Sequence, residues 1–323
     1  MTQSELDVAE LDVAVVIPCH QSGNFPAIAA ATRSVDAQLY GSRISTVIAV
    51  DHNPALAQRL RAELPSVLVV ENESGKRGAG PTRNAGAAAA DAEFIAFLDD
   101  DELAEPDWLV QLLAPFSDPA VVGTGGRYLP NWLVGRPRWF PDELAWVVGG
   151  HHSGMPMHTT AVRNVWSGNM AVRASIFHVV DGFRTDFGKT GSRSRPEDTD
   201  LCIRMSARVP GGHWVYVPEA RIQHSVPGDR STFTFYLKRC YSEGGGKVEL
   251  SANIDTAGTL DVERDYLRRT IPRGVRLHLR GGFWGLIRAG AIVCGIGAAG
   301  IGAGVSLLAR LRPRVRRPEV PRT

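Results

Sequence analysis

Between Asp12 and Gly126 the chain alternates short runs that are apolar on both faces with stretches of helical periodicity, and few folds accept that pattern. Val13 to Ile17, Ile44 to Val50, Val67 to Val70, Phe94 to Leu98 and Ala120 to Val122 are the predicted strands, joined by helices such as Ala27 to Leu39 and Ala55 to Leu64. A strand with no polar face must be covered on both sides, which requires an α/β fold: a Rossmann-like, mostly parallel sheet with helices on both faces. Ligands of such sheets gather at the C-terminal ends of the strands. Pro18, Cys19 and His20 follow the first strand, Asp51 the second, and Asp99, Asp100, Asp101 and Glu102 the fourth.

Four carboxylates at one strand end suit a hard divalent cation, Mg²⁺ or Mn²⁺, whose coordination is commonly completed by substrate phosphates. A solvated acidic turn capping a helix that starts near Pro106 is the other reading, and composition does not separate the two. Between the third and fourth strands, Glu73 to Gly86 forms a glycine-rich, cationic loop running into an alanine-rich helix with Pro81 in its first turn. It lacks the order of a P-loop and does not directly follow the first strand as a dinucleotide fingerprint would.

The second half is less regular. Trp132, Trp139, Trp146 and Trp166 stand in a stretch bearing arginine and proline that reads as loops lining a cleft, with packing as the alternative role for the rings. Trp166-Ser167-Gly168-Asn169-Met170 leads into a strand, and Glu197 and Asp198 open a helix, where carboxylates also favour the helix dipole. His151, His152 and His158 match no zinc spacing, and Gly154 and Pro156 suggest a mobile loop around them.

The chain has 323 residues, 44% of them hydrophobic, so it buries a full core, and its four cysteines lie too far apart in sequence to suggest a zinc ribbon or a disulfide framework. A net charge of +2 conceals an asymmetry: seven arginines fall between Arg264 and Arg288 and six more between Arg310 and Arg322. Between these blocks, residues 289–309 carry no charge and are long enough to cross a bilayer, with a G-x-x-x-G pair at Gly300 and Gly304. Basic flanks on both sides conflict with a single crossing, so a monotopic or re-entrant anchor on anionic lipid ranks level with a span, and an apolar helix packed on the domain is the third possibility. No aromatic-interleaved reader motif accompanies the arginines, which excludes nucleic acid as the expected partner. The expected organisation is a disordered arm over 1–11, one catalytic domain over 12–250, a basic connection over 251–288, the apolar membrane-associating segment over 289–309 and a basic tail over 310–323.

Val16-Ile17-Pro18, Asp51, Gly80 through Gly86, Asp99-Asp100-Asp101, Ser167-Gly168-Asn169 and Glu197-Asp198-Thr199-Asp200-Leu201 occur in the order seen in family 2 glycosyltransferases, which the chain resembles over about Asp12 to Lys247. The resemblance implies a GT-A fold, a nucleotide-diphosphate sugar donor of UDP or GDP type, a hydroxylated acceptor, and inversion at the anomeric carbon. It places Pro18, Cys19 and Asp51 around the nucleoside, Arg83 near base or phosphate, and Asp99 and Asp101 at ribose and metal with Asp100 in the same donor-binding set. His224 would supply a further metal or diphosphate contact, Asp198 the general base, and Glu197 the alternative base. Gly168 and Asn169 would approach the donor sugar closely. An inverting displacement needs a base on one face of the sugar and neutralised diphosphate charge on the other, which this division of residues supplies.

The family's processive synthases carry a Q-x-x-R-W motif, whereas this chain has Lys238-Arg239-Cys240-Tyr241-Ser242-Glu243-Gly244. A single, non-processive transfer is therefore expected, with Lys238, Arg239 and Lys247 either meeting phosphates or forming a solvated helix face. A lipid-linked acceptor or a secondary metabolite, and a site at the cytoplasmic face of a membrane, follow from the C-terminal anchor. Two competing functions remain: a sugar nucleotidyltransferase, which would release pyrophosphate rather than nucleoside diphosphate, and a silent sugar-nucleotide or membrane-surface binding module.

Overall fold

The computed structural model describes residues 12–190, 193–195, 197–253 and 260–311. The arm expected over 1–11, most of the basic tail and part of the connection after residue 250 lie outside the described residues.

The two-sided apolar runs form the centre of the sheet. Strands β1 (Val13–Cys19), β2 (Ile44–Val50), β3 (Leu68–Glu71) and β4 (Phe94–Leu98) are parallel, in the order β3-β2-β1-β4. Helices α1 (Phe25–Asp36), α2 (Pro54–Glu63) and α3 (Ala79–Ala88) make the crossovers. Asn53 caps α2 by accepting from the Leu56 amide, and Pro54 fills the first helical position, where an N–H would be unpaired. Alternate residues of β1 enter two cores: Val13, Val15, Ile17 and Cys19 face one, Val16 the other. The expected parallel half is therefore present.

Beyond β4 the sheet becomes mixed. β8 (Asn169–Arg173) pairs antiparallel with both β4 and β6 (Val121–Trp132), β6 runs parallel to β11 (His213–Val226), and β11 pairs antiparallel with β5 (Glu102–Ala104) and β7 (Thr160–Val162). The strand expected at Ala120 to Val122 thus runs ten residues further, and the strand-like Trp214 to Val217 belongs to a 14-residue strand. Glycine makes this possible where β6 meets its neighbours: a Cβ on Gly123 would overlap the Trp214 ring, and one on Gly126 the Ala220 carbonyl. The acidic run after β4 does not cap a helix. It turns directly into β5, and the following helix α4 (Trp108–Leu113) starts later.

Three of the four tryptophans depart from the expected cleft. Trp132, Trp139 and Trp146 pack on a third core of Phe140, Leu144, Val226, Tyr236 and Ile292. Trp139 meets Phe140, Phe233 and Tyr236 ring to ring, and Trp146 donates from Nε1 to the Tyr266 hydroxyl at 3.2 Å. Of the chain's C-terminal helices, α7 (Phe233–Asn253), α8 (Asp261–Asp265), α9 (Ile271–Leu279) and α10 (Gly282–Leu311), all but α8 supply the rest of this core, with Tyr236 donating to the Ala291 carbonyl at 2.8 Å.

The apolar segment expected over 289–309 is the body of the 30-residue helix α10. One side of α10 is packed on α7 through glycine, and the other is bare. A Cβ on Gly302 would overlap the Tyr241 carbonyl, one on Gly244 the Ala299 carbonyl, and one on Gly295 the Tyr236 hydroxyl. Gly300 and Gly304, expected to form the close contact, face open space. Lys247 and Arg239 are engaged with acids: Arg239 pairs with Glu243, and Lys247 bridges Glu243 and Glu263 at 3.3 and 2.9 Å. Of the two expected roles, phosphate contact or a solvated face, neither describes these two cations, which are held in ion pairs on the helix. Arg163 holds Glu263 with a two-pronged contact of 2.9 and 2.8 Å, fastening α8 to the sheet domain.

Two predictions follow from this packing. Gly244→Ala should lower stability by roughly 1–3 kcal/mol by overpacking, while Gly300→Ala should be neutral or stabilising by up to about 1 kcal/mol, since it only improves helix propensity; urea unfolding of both variants separates them. Hydrogen bonds from Arg163 and the charge of Lys247 outweigh burial and hold the Glu263 carboxyl down at about 2, below its ordinary 4.5. A depressed carboxylate stabilises the fold above the unfolded value and loses that contribution as pH falls through the folded one. The stability gap between wild type and Glu263→Gln should thus be full above about pH 5 and close toward about pH 2, and a gap independent of pH would contradict the pairing.

Candidate active site

Register places the acids. Glu102, the first residue of β5, lies directly opposite His224 of β11 in an antiparallel pair, which sets a carboxylate beside an imidazole. His224 Nδ1 stands 3.2 Å from Glu102 Oε1 and 3.8 Å from Asp101 Oδ1. It is sealed from solvent and aligned for a hydrogen bond with neither. The ligand atoms of Asp101, Glu102 and His224 all lie within 4.8 Å of one another. Burial would lower the His224 pKa, but Glu102 and Asp101 outweigh it and raise it. Burial and then Asp99 push Glu102 up to about 8, and burial also raises Asp101. Two crowded acids and an unaligned imidazole nitrogen are a donor set that a divalent cation would satisfy.

Asp99 and Asp100 have other neighbours. Asp99 makes an ion pair with Arg83 Nη2, and its backbone N–H donates to Glu102 Oε2 at 3.0 Å. Asp100 lies toward the end of β1: burial raises it to about 6, against a hydrogen bond from Asn24. Arg83, from the first turns of α3, reaches across to Glu197 at the start of α6 (Glu197–Arg208), with Nη1 3.3 Å from Oε1. Its side chain is 4% exposed, and its Nε–H has no partner. Burial pushes Glu197 up to about 7 despite Arg83. Gly80 permits this approach, since a Cβ there would come within 3.0 Å of Glu197 Oε2.

Asp198 is the other enclosed acid. Burial raises its pKa, partly offset by Arg83 and by hydrogen bonds from Ser167. Its Oδ1 is sealed and has no partner. Ser167 and Gly168 bridge the two halves of the crevice: Ser167 holds Asp198, and a Cβ on Gly168 would stand 2.7 Å from Glu102 Oε2 and 2.8 Å from Asp99 Oδ2. Only glycine lets the turn come that close to the acids.

Asp51 joins the crevice through the glycine loop. Its Oδ2 accepts from the Gly78 N–H at 3.0 Å, and its Oδ1 meets His52 Nδ1 at 2.7 Å and Asn72 Nδ2 at 3.1 Å. These bonds outweigh burial and hold its pKa down. Asn72, buried at the end of β3, also binds the Lys76 carbonyl at 2.7 Å and thereby folds the loop that leads into α3.

Thus Asp51, Arg83, Asp99, Asp100, Asp101, Gly168, Glu197, Asp198 and His224 converge. Three of the expected residues do not present side chains to the crevice. Cys19 is buried in the core with Ile17 and Ile28, where burial and then Asp100 raise its thiol, and Pro18 is buried in β1 beside it. Asn169 is fully enclosed, accepting from Trp108 Nε1 at 2.7 Å and donating to the carbonyls of Arg127 and Ala220, so its amide orders the sheet instead of touching a sugar. His151 meets the Tyr216 hydroxyl at 2.9 Å, and burial lowers it to about 4. Among the described residues no metal-binding cluster includes His151, His152 or His158. Glu102 was legible only as one of four acids suited to a cation, and one residue of the site escaped the sequence: Tyr128, whose ring packs edge-on to Trp166 and toward His224.

Residues 14–180, more than half of the chain, match the Glycosyl transferase family 2 signature. Glucosyl-dolichyl phosphate glucuronosyltransferase of Haloferax volcanii is 28% identical over 241 residues, covering 73% of this chain and 76% of its own. Succinoglycan biosynthesis protein ExoM of Rhizobium meliloti is 27% identical over 228 residues, covering 68% and 69%. The mannosyltransferase PcManGT of Pyrobaculum calidifontis, solved with GDP-Man and Mn²⁺, shares the fold with a TM-score of 0.54 at 17% identity, over 94% of this chain and 82% of its own. With the ordered motifs and this crevice at the strand ends, the chain belongs to glycosyl transferase family 2 and is a glycosyltransferase of GT-A fold.

Proposed function

We propose that this glycosyltransferase moves one sugar, with inversion, from a nucleoside-diphosphate sugar to a hydroxyl of a membrane-borne acceptor, using Asp198 as the base and a divalent cation held by Asp101, Glu102 and His224. The observation that carries this reading is the Ser167–Gly168 turn, which holds the enclosed carboxylate of Asp198 on one side and meets the acid cluster on the other. It supports a base and a cation pocket sharing one crevice, which a single displacement requires.

The orphaned Nδ1 of His224 and the crowding of Asp101 and Glu102 fit Mn²⁺ or Mg²⁺. When bound, that ion would neutralise charge on the departing diphosphate. The chain's own groups do the rest. Asp198 takes the acceptor proton, with Ser167 orienting its carboxylate. Arg83 pairs with Asp99 and Glu197 and fixes both carboxylates at the crevice. Glu197 is thereby committed to Arg83, which makes Asp198 the better base. Asp51 and Asn72 hold the glycine loop open toward the nucleoside. The GDP-Man and Mn²⁺ of the mannosyltransferase and the dolichyl phosphate in the name of the archaeal relative support the donor class, the cation and a lipid-linked acceptor.

The bare side of α10 and the arginines around it support attachment at a membrane's cytoplasmic face. The glycine seam with α7 favours a helix lying along the domain over a lone span.

Asp198→Asn should lower kcat by about 10²–10⁴-fold with little change in donor KM; full turnover in that variant would unseat the base. Because burial raises the Asp198 pKa above 3.8, and a base works only when ionised, kcat/KM should fall as pH drops through that raised value. For the cation, chelation should abolish donor turnover and Mn²⁺ or Mg²⁺ restore it. Asp101→Ala, Glu102→Gln and His224→Ala should each raise the cation concentration for half-activation by at least about tenfold, and an unchanged requirement would contradict the ligand set.

A further inference from the structure

We infer that the loop Leu133–Arg138 and the first turns of α10 form one lipid-facing edge beside the mouth of the active site, shaped for a bilayer rich in anionic lipid. The loop tip follows β6 and ends in Gly135 at φ 84°, which turns the chain back with Leu133 and Val134 bare. These are 61% and 67% exposed, and Phe283 at the start of α10 is 69% exposed. Leu286 and half-bare Trp284 and Phe233 continue the apolar surface. The two segments are fastened together: Arg288 Nε donates to the Arg138 carbonyl at 2.9 Å, and the Arg138 guanidinium lies over the Trp284 ring, 5.5 Å from its centroid.

The charges point to the occupant. Arg276 and Arg280 are exposed, Arg288 is half-buried, and among the described residues none of the three has an acidic partner. Arg136 of the loop pairs with Asp142, but these three arginines face no acid among the described residues, and apolar side chains on helices that also carry such guanidinium groups suit the boundary between acyl chains and anionic headgroups, with a tryptophan stacked on arginine at headgroup depth. A protein partner would need acidic groups aligned with each arginine, whereas a headgroup layer adapts to them.

The edge lies next to the site. A Cβ on Gly228 would stand 3.3 Å from Val134 Cγ1, so the loop tip packs on the turn Gly228–Ser231. Arg230 of that same turn lies 3.9 Å from Asp101. A bilayer seated on Leu133, Val134 and Phe283 would meet the domain beside the cation pocket, so a lipid-borne hydroxyl need not leave the membrane to reach it. This role in delivery rests on the catalytic reading above; the surface itself does not.

The test uses the full-length chain and vesicles of phosphatidylcholine with or without phosphatidylglycerol. Sedimentation should show binding that needs the anionic lipid, and Leu133→Asp combined with Val134→Asp should weaken it by about tenfold or more while leaving donor hydrolysis unchanged. A bimane probe at Val134→Cys, in a Cys294→Ser background, should shift to the blue with anionic vesicles. Unchanged partition of the aspartate variant, or unshifted bimane emission, overturns the proposal. So does a concentration-dependent dimer that the aspartates dissolve without affecting vesicle binding, which would assign the edge to a second copy of the chain. Anionic vesicle binding by a chain that hydrolyses no donor would defeat the catalytic reading and still support this surface.

Discussion

A buried guanidinium organises the site. Arg83 is sealed between Asp99, at the end of a central parallel strand, and Glu197, at the start of a helix more than a hundred residues later. A cation without water must be matched by acids, and removing both carboxylates would leave a buried uncompensated charge at a cost on the order of 3–5 kcal/mol. The triad therefore fixes the distance between the two halves of the crevice. Glu197 cannot swing toward a substrate without abandoning Arg83, and Asp99 cannot turn fully to a cation without doing the same. The proposed division of labour among neighbouring acids rests on this: Arg83 engages Asp99 and Glu197, and Asp101, Glu102 and Asp198 are not paired with it.

Close backbone approach is the second constraint. Gly80, Gly168 and Gly126 stand where a methyl group would strike Glu197, the Asp99–Glu102 pair or the Ala220 carbonyl. The same device recurs away from the crevice, where Gly244, Gly295 and Gly302 let α10 lie against α7. A helix held this way buries one face and leaves the other bare, which gives the domain an apolar side. The ion pairs of Arg163 and Lys247 with Glu263 tie this helical appendage to the sheet, so the apolar side and the crevice are parts of one packed body.

The parallel half of the sheet was legible because its strands have no polar face, and a run such as Phe94 to Leu98 has few other uses. The long strands β6 and β11 were not, because Arg127, Asn131, Glu219 and Gln223 interrupt the apolar pattern where the sheet meets solvent. The acids after β4 and the Glu197–Asp198 pair were visible as motifs, but their partners were not. The contact of Arg83 with Glu197 joins distant segments, and Glu102 was one acid among four until β5 set it opposite His224. Cys19 and Asn169 stand at motif positions yet turn inward, since a strand end alternates between core and crevice and a motif does not say which residue faces which way. The tryptophans misled for a related reason: an aromatic in an irregular stretch suggests a binding wall, but a helix arriving from the far end of the chain covered three of them.

The central claim is that Asp101, Glu102 and His224, with Asp99 withheld by Arg83, form the cation pocket facing Asp198. Anomalous scattering at the manganese edge, from crystals of the full chain grown with Mn²⁺ and a nucleoside diphosphate, addresses it without relying on kinetics. The account predicts one strong peak within coordination distance of Asp101, Glu102 and His224, with the diphosphate between the ion and Asp198 and the Arg83–Asp99 pair intact. A manganese peak held by Asp99 and Asp100 with Arg83 displaced, or a diphosphate on the far side of the sheet from Asp198, would contradict it.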